Sequence, residues 1–437
     1  MPSLLIYARA VHFAATIMAA GIVFFAVCIF EPALRGAPSG ALAATLRRRF
    51  AWIAWISLAF CVLSGASWFV LTATSMSGQP LSQIYSQDVL WKVLSQTDFG
   101  NDWFVRLVVA CALGGTIVPL LSKNGPTSPS LKTIAAVLAA ALVGSLAFAG
   151  HAIGAEGAEG IIHPVADVLH LIAAAAWAGS LVPLALLLAT AGQDSTSLGM
   201  ARTATLRFST LGIVSVATLL VTGIVNTWYL AGSIDALTET DYGRLLVIKI
   251  VLFFAMVGVA AINRLRLTPR LVADENAKAT QRARRALCRN ATIETALGAA
   301  VLAIVAALGT LPPGNHLTQH AAAGAIPADA SFQHIHGEHG MADVTIEPGH
   351  VGTVSAAVHL LNEDLDTLVA RQLTLALTAP TPGSKPITRS AIVDADGTWH
   401  VGGIALTAPG NWTVAVDALL PSGKHLKLAA PIVIDPK

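Results

Sequence analysis

Apolar runs of about twenty residues recur along this chain, and no other feature restricts its fold as tightly. A helix of that length crosses the hydrocarbon core of a bilayer with its backbone hydrogen bonds satisfied internally. The runs lie at about 4–30, 50–74, 101–122, 131–150, 163–191, 205–231, 243–264 and 290–311. Only 12% of the 437 residues are charged, where a soluble domain carries about a quarter. The expected fold is an all-α polytopic bundle of about eight spans. The first run contains His12 and ends at Glu31-Pro32 without a small-residue cleavage site, so it is expected to be an uncleaved span. Cys28, Cys61 and Cys111 lie within apolar runs and none of the four cysteines forms a CxxC pair, so they read as packing residues.

The loops carry their charge unequally. The first holds Arg35, Arg47, Arg48 and Arg49, the third Lys123, the fifth Arg202, and the seventh six Lys or Arg residues between Arg266 and Arg285. The even loops are poor in both types. The positive-inside rule then puts odd loops in the cytoplasm and both termini outside, in the periplasm of a bacterial cell whose inner membrane holds the bundle.

An internal echo suggests two four-helix halves in parallel. His12 and Gly21 enclose an Ala-rich stretch, as do His170 and Gly179, and Ser64-Gly65 parallels Thr222-Gly223. The paired positions are 158 apart, from 12 to 170 and from 65 to 223. Asp102 and Arg106 are matched with Asp241 and Arg244. An even number of helices per half makes the repeat parallel.

Residues 1–313 form the expected transmembrane domain. Residues 314–341 read as a Gly/Ala/His linker, and 342–437 as about seven short strands punctuated by Asp396-Gly397, Pro409-Gly410 and Pro421-Ser422-Gly423. That spacing predicts a small β-sandwich on the outer face.

Ionisable residues near the bilayer are costly and mark function. His151, His163, Asp167 and His170 cluster at the mouth of the fifth span, and a helix from 163 puts His163, Asp167 and His170 on one face. His12 is the repeat partner of His170. In the linker, His334, His336, His339 and Met341 form a flexible His/Met tract, with His316 and His320 upstream. Imidazole and thioether without thiolate suit copper better than structural zinc, so these nine residues, His12 through Met341, are the expected metal ligands. Asp167, Lys249 and Glu294 are candidates for balancing ion charge inside the bundle. No Walker A, HExxH or nucleophile–base pattern occurs, so neither ATP-driven pumping nor enzymatic catalysis is expected, and nothing points to nucleic acid.

Trp177-Ala-Gly179-Ser-Leu181 after His170, Thr222-Gly223, Gly243-Arg244-Leu245-Leu246 with Lys249, Asn263-Arg264-Leu265, and Glu294 with Leu311-Pro312-Pro313 occur in this order. The series resembles the copper-resistance D (CopD/PcoD) membrane family, best over about 150–313. The tail, with Pro409-Gly410-Asn411-Trp412-Thr413, is similar to small sandwich domains attached to such proteins. The resemblance implies copper homeostasis, with copper moved inward from the periplasm and a periplasmic copper chaperone as a partner. Two other readings stay open: a haem-binding membrane electron carrier with bis-His ligation, and a sensor or assembly factor that presents copper without transporting it.

Overall fold

The computed structural model describes residues 2–35, 40–77, 81, 84, 88–122, 128–149, 159–192, 194–231, 237, 240–271, 277–309, 311, 327, 329–337, 340–362, 367–380, 384–394, 397–421 and 423–436. The chain divides into two compact units. One comprises Met1–Ile153 with Ile161–Leu317, the other Gly154–Gly160 with Thr318–Lys437.

The first unit is helical. Its described helices are α1 (Pro2–Phe25), α2 (Glu31–Leu34), α3 (Ala41–Ser77), α4 (Val89–Gln96), α5 (Asp98–Leu120), α6 (Pro129–Gly144), α7 (Glu159–Trp177), α8 (Leu181–Thr190), α9 (Ser195–Ala231), α10 (Asp241–Ile262) and α11 (Ala277–Leu308). Eight segments are long and apolar enough to cross a bilayer: Leu4–Leu34, Ala41–Thr74, Phe99–Leu120, Pro129–Phe148, Ile162–Thr190, Ser195–Trp228, Tyr242–Leu271 and Lys278–Leu308. Polar residues start these helices by accepting orphan amides. Thr97 accepts from Gly100 N, Thr240 from Gly243 N, Ser128 from Leu131 N and Asp194 from Ser197 N, at 2.9–3.2 Å. At Asp194, outside the spans, these bonds hold the carboxyl below the usual carboxylate range.

The caps correct one alignment of the repeat. Thr97-Asp-Phe-Gly100 before α5 matches Thr240-Asp-Tyr-Gly243 before α10, 143 positions on. That register sets Arg106 opposite Lys249, not opposite Arg244. The Thr97 and Thr240 caps fix helix phase, which the charges do not.

One pair of residues matched by the sequence echo is in direct contact. Gly21 and Gly179 touch each other: a Cβ on Gly21 would lie 2.3 Å from Gly179 C, and a Cβ on Gly179 would lie 2.4 Å from Ile17 O and 2.8 Å from Gly21 Cα. Equivalent residues in mutual contact indicate a local two-fold relation between the halves. Ser180 Oγ donates to Gly21 O at 3.2 Å beside this contact. Both positions therefore require glycine, as small residues do where membrane helices cross closely.

The second unit is a two-sheet sandwich. One sheet runs β1 (Ser331–Gly337), β2 (Gly340–Glu347), β3 (Gly352–Leu361), β7 (Trp399–Leu406), β6 (Ile392–Val393); the other runs β5 (Ile387–Ser390), β4 (Gln372–Thr378), β8 (Gly410–Leu419), β9 (His425–Ile434). All the named strand pairs are antiparallel. Alternating residues such as Leu373, Leu375 and Leu377 on β4 and Trp412, Val414 and Val416 on β8 fill the core. Strand β1 lies within the expected linker, so the His/Met tract is not flexible throughout. Ile335, 2% exposed, anchors β1 in the core, and Gly340 turns the hairpin at φ +152°.

Candidate metal site

Each half of the bundle holds one histidine against one hydroxyl. In the first half, His12 on α1 is 2% exposed. Its Nδ1 lies 3.0 Å from Cys61 O and 3.3 Å from Ser64 Oγ on α3. In the second half, His170 on α7 has Nδ1 2.9 Å from Thr222 Oγ1 on α9. The next residue is glycine in both cases. A Cβ at Gly65 would stand 3.1 Å from His12 Cε1, and one at Gly223 would stand 3.7 Å from His170 Cε1.

These bonds fix the ring tautomers. Cys61 O can only accept, so His12 Nδ1 must donate. Thr222 Oγ1 sends its own proton to Thr218 O at 2.7 Å, so it accepts from His170 Nδ1. Ser64 Oγ likewise donates to Phe60 O. Both imidazoles therefore carry the proton on Nδ1 and leave the lone pair on Nε2, the arrangement of a metal-ligating histidine oriented from behind. His12 Nε2 is buried with no partner among the described residues.

A cation accompanies each histidine. Arg106 donates to Ser145 Oγ and Ser145 O at 3.1 and 2.8 Å. Arg9 and Arg106 lie over Trp68 at 5.1 and 5.7 Å, and Trp68 meets the His12 ring edge-on at 5.5 Å. Lys249, the counterpart of Arg106, lies within electrostatic reach of Asp167 and His170. Asp167 accepts from Asn226 Nδ2 at 2.5 Å, and its other oxygen is 3.7 Å from His163 Nε2, one turn back on the same helix face.

The sequence-predicted ligands thus fall into separate groups. His163, Asp167 and His170 share α7, and His12 occupies the equivalent place in the other half. Among the described residues, no three His, Cys, Asp or Glu side chains converge as a preformed metal cage. Glu294 stands apart from Asp167 and Lys249, bonded to Asn263. His151, His316, His320 and His339 lie outside the described residues. In the sandwich, His334 Nδ1 bonds the carboxylate of Asp343 across the β1–β2 ladder, and His336 is in register with Met341. Ser64 and Thr222 as histidine-orienting groups, and Arg106 as the partner of Lys249, were not singled out from sequence. The shared Thr-Asp-Phe/Tyr-Gly cap followed six residues later by Arg or Lys is the signal that carries the last of these.

Comparison with known proteins bears on this arrangement. The family profile "Copper resistance protein D-like, N-terminal domain" matches residues 1–161, and "Copper resistance protein D" matches residues 202–308. Copper resistance protein D of Pseudomonas syringae pv. tomato is 30% identical over 248 residues, 56% of this chain and 78% of that protein. Inner membrane protein YebZ of Escherichia coli (strain K12) is 33% identical over 256 residues, 57% of this chain and 82% of that protein. Copper transport protein CutJ of Bacillus subtilis (strain 168) is 29% identical over 222 residues, 51% of this chain but 38% of that protein. Eight apolar spans, profile matches over both halves and relatives matched over most of their length agree: the chain belongs to the copper resistance protein D family.

Proposed function

We propose that this protein takes copper from the outer side of the inner membrane and moves it inward through the bundle, with both termini outside. Membership of the family supports copper homeostasis, and its relatives are named for copper resistance and transport, not for catalysis. The observation that carries the finer reading is the duplicated histidine with Nδ1 held by the neighbouring helix and Nε2 left as the ligand atom. His163, Asp167 and His170 would receive the ion in the second half, where the carboxylate supplies the negative charge a cation needs. His12 would be a second stop, and His151 would line the entrance.

His334, His336, His339 and Met341 are proposed to gather copper on the sandwich, with a periplasmic copper chaperone as donor. Soft or borderline donors of this kind match copper in either oxidation state. Protons compete for Nε2, so loading weakens in acid. Copper uptake by inside-out and right-side-out vesicles tests both site and direction. His170→Ala should lower inward uptake at least tenfold, the effect expected for losing a ligand or its support. Unchanged uptake in that variant would remove His170 from the path. A Soret band in the purified protein would instead favour haem.

A further inference from the structure

The second half contains a cavity of about 350 Å³ between α8, α9, α10 and α11. Two of its lining residues stand where the first half carries larger side chains. There, Arg47 and Glu31 form a two-bond ion pair at 3.0 and 3.1 Å under the Phe25–Phe50–Phe30 aromatic cluster. The residues 158 positions beyond Phe30 and Arg47 are Leu188 and Thr205, and both line the cavity.

One wall is unlike the rest. Glu294 is 1% exposed. Asn290 Nδ2 donates to Asn263 Oδ1 at 2.7 Å, which turns Asn263 Nδ2 onto Glu294 Oε1 at 2.7 Å. Glu294 Oε2 is left buried and without a hydrogen-bond partner among the described residues. Asn263 begins a π-helical turn, Asn263–Leu267, at the end of α10, a distortion frequent at functional sites.

Three candidate occupants are weaker. A water needs two to four polar partners, and the walls here are mostly aliphatic. A dehydrated metal ion needs more free donors than this lining offers, since the hydroxyls of Thr205, Thr268 and Ser209 already bond Ala201 O, Asn263 O and Arg264, and Arg264 brings a positive charge to the wall. A plain acyl chain would fill the volume and leave Oε2 unsatisfied at a cost. Lining residues Ile213 and Leu220 on α9 are 49% and 38% exposed, so the cavity opens on the lipid-facing side. Its volume lies at the low end for small-molecule pockets, which combine apolar walls with a few placed polar groups.

We propose that this cavity is a binding site for a membrane-soluble amphiphile with a hydrogen-bond-donating head group, the head on Glu294 and the chain beside α9. The site is independent of the histidines.

The test uses the full chain in zwitterionic-lipid nanodiscs. Three photoreactive probes share a diazirine-bearing dodecyl chain and carry an amine, a hydroxyl or a methyl ether head. Adducts are mapped by mass spectrometry, with labelling around the exposed Trp52 and Phe60 of α3 as the internal reference. The amine and the alcohol should label residues 205–220 and 287–294 about tenfold more than the ether. Glu294→Leu should bring the three to the same level. Gly212→Leu should reduce all three by filling the space, while Gly212→Ala, whose Cβ meets Trp177 at an ordinary 3.7 Å, should not. Equal labelling by the three heads in the unmodified protein would overturn the proposal. So would adducts that survive Gly212→Leu.

Discussion

The two halves of the bundle share a scaffold and differ in what it encloses. Both place a histidine against a hydroxyl and a glycine, with an Arg or Lys from the following capped helix close by. Yet matched spans differ: 44% of the most apolar stretch of the second span is buried against 22% of the sixth, and 39% of the third against 11% of the seventh. Arg9 stands in the first half where Asp167 stands in the second, and the ion-pair plug of Arg47 and Glu31 has Thr205, on the cavity wall, at its Arg47 position. The two halves share the ring-orienting bonds and differ in charge and packing. The first half reads as a packed platform with arginines around its imidazole. The second supplies the carboxylate and the vacant volume.

Mutations at matched positions can break or sharpen this contrast. The largest effect is expected from Arg47→Ala. It strands Glu31, 9% exposed, and should cost about 3–5 kcal/mol. Its counterpart Thr205→Ala loses only a bond to Ala201 O on its own helix and should cost about 1 kcal/mol or less. Thermal unfolding in detergent compares them, and equal losses would mean the plug contributes nothing special. Next comes Gly21→Ala, which forces a Cβ into the Gly179 backbone. Overpacking of this kind costs about 1–3 kcal/mol. Gly115→Ala, with open space around it, should unfold like the unmodified chain. The smallest effect separates the histidines themselves. Thr222→Val removes the group that orients His170 and should lower copper uptake by about tenfold. Ser64→Ala should act more weakly, because Cys61 O still holds His12 Nδ1. Equal responses would argue that the halves handle the ion alike.

Much of this was legible in the chain itself, for identifiable reasons. Hydropathy located eight spans because a bilayer demands uninterrupted apolar helices. The His-x8-Gly echo was readable because a nine-residue separation survives as a helix-face relation. Strand β1 was not legible because polar residues flank Ile335 on both sides, and one buried apolar residue shows no period. Thr222 and Ser64 gave no sign of their role, since a hydroxyl in an apolar helix more often bonds its own turn, as both also do. The cavity was not legible at all. It is a difference of side-chain volumes between residues brought together only by tertiary packing.

The backbone contact of Gly21 with Gly179 joins the two halves without any side chain between them. Such a crossing has no spare volume, so a single methyl group added at either position must push the two helices apart. The tolerance of this seam is set by the smallest side chain in it, whatever its larger apolar neighbours could accommodate.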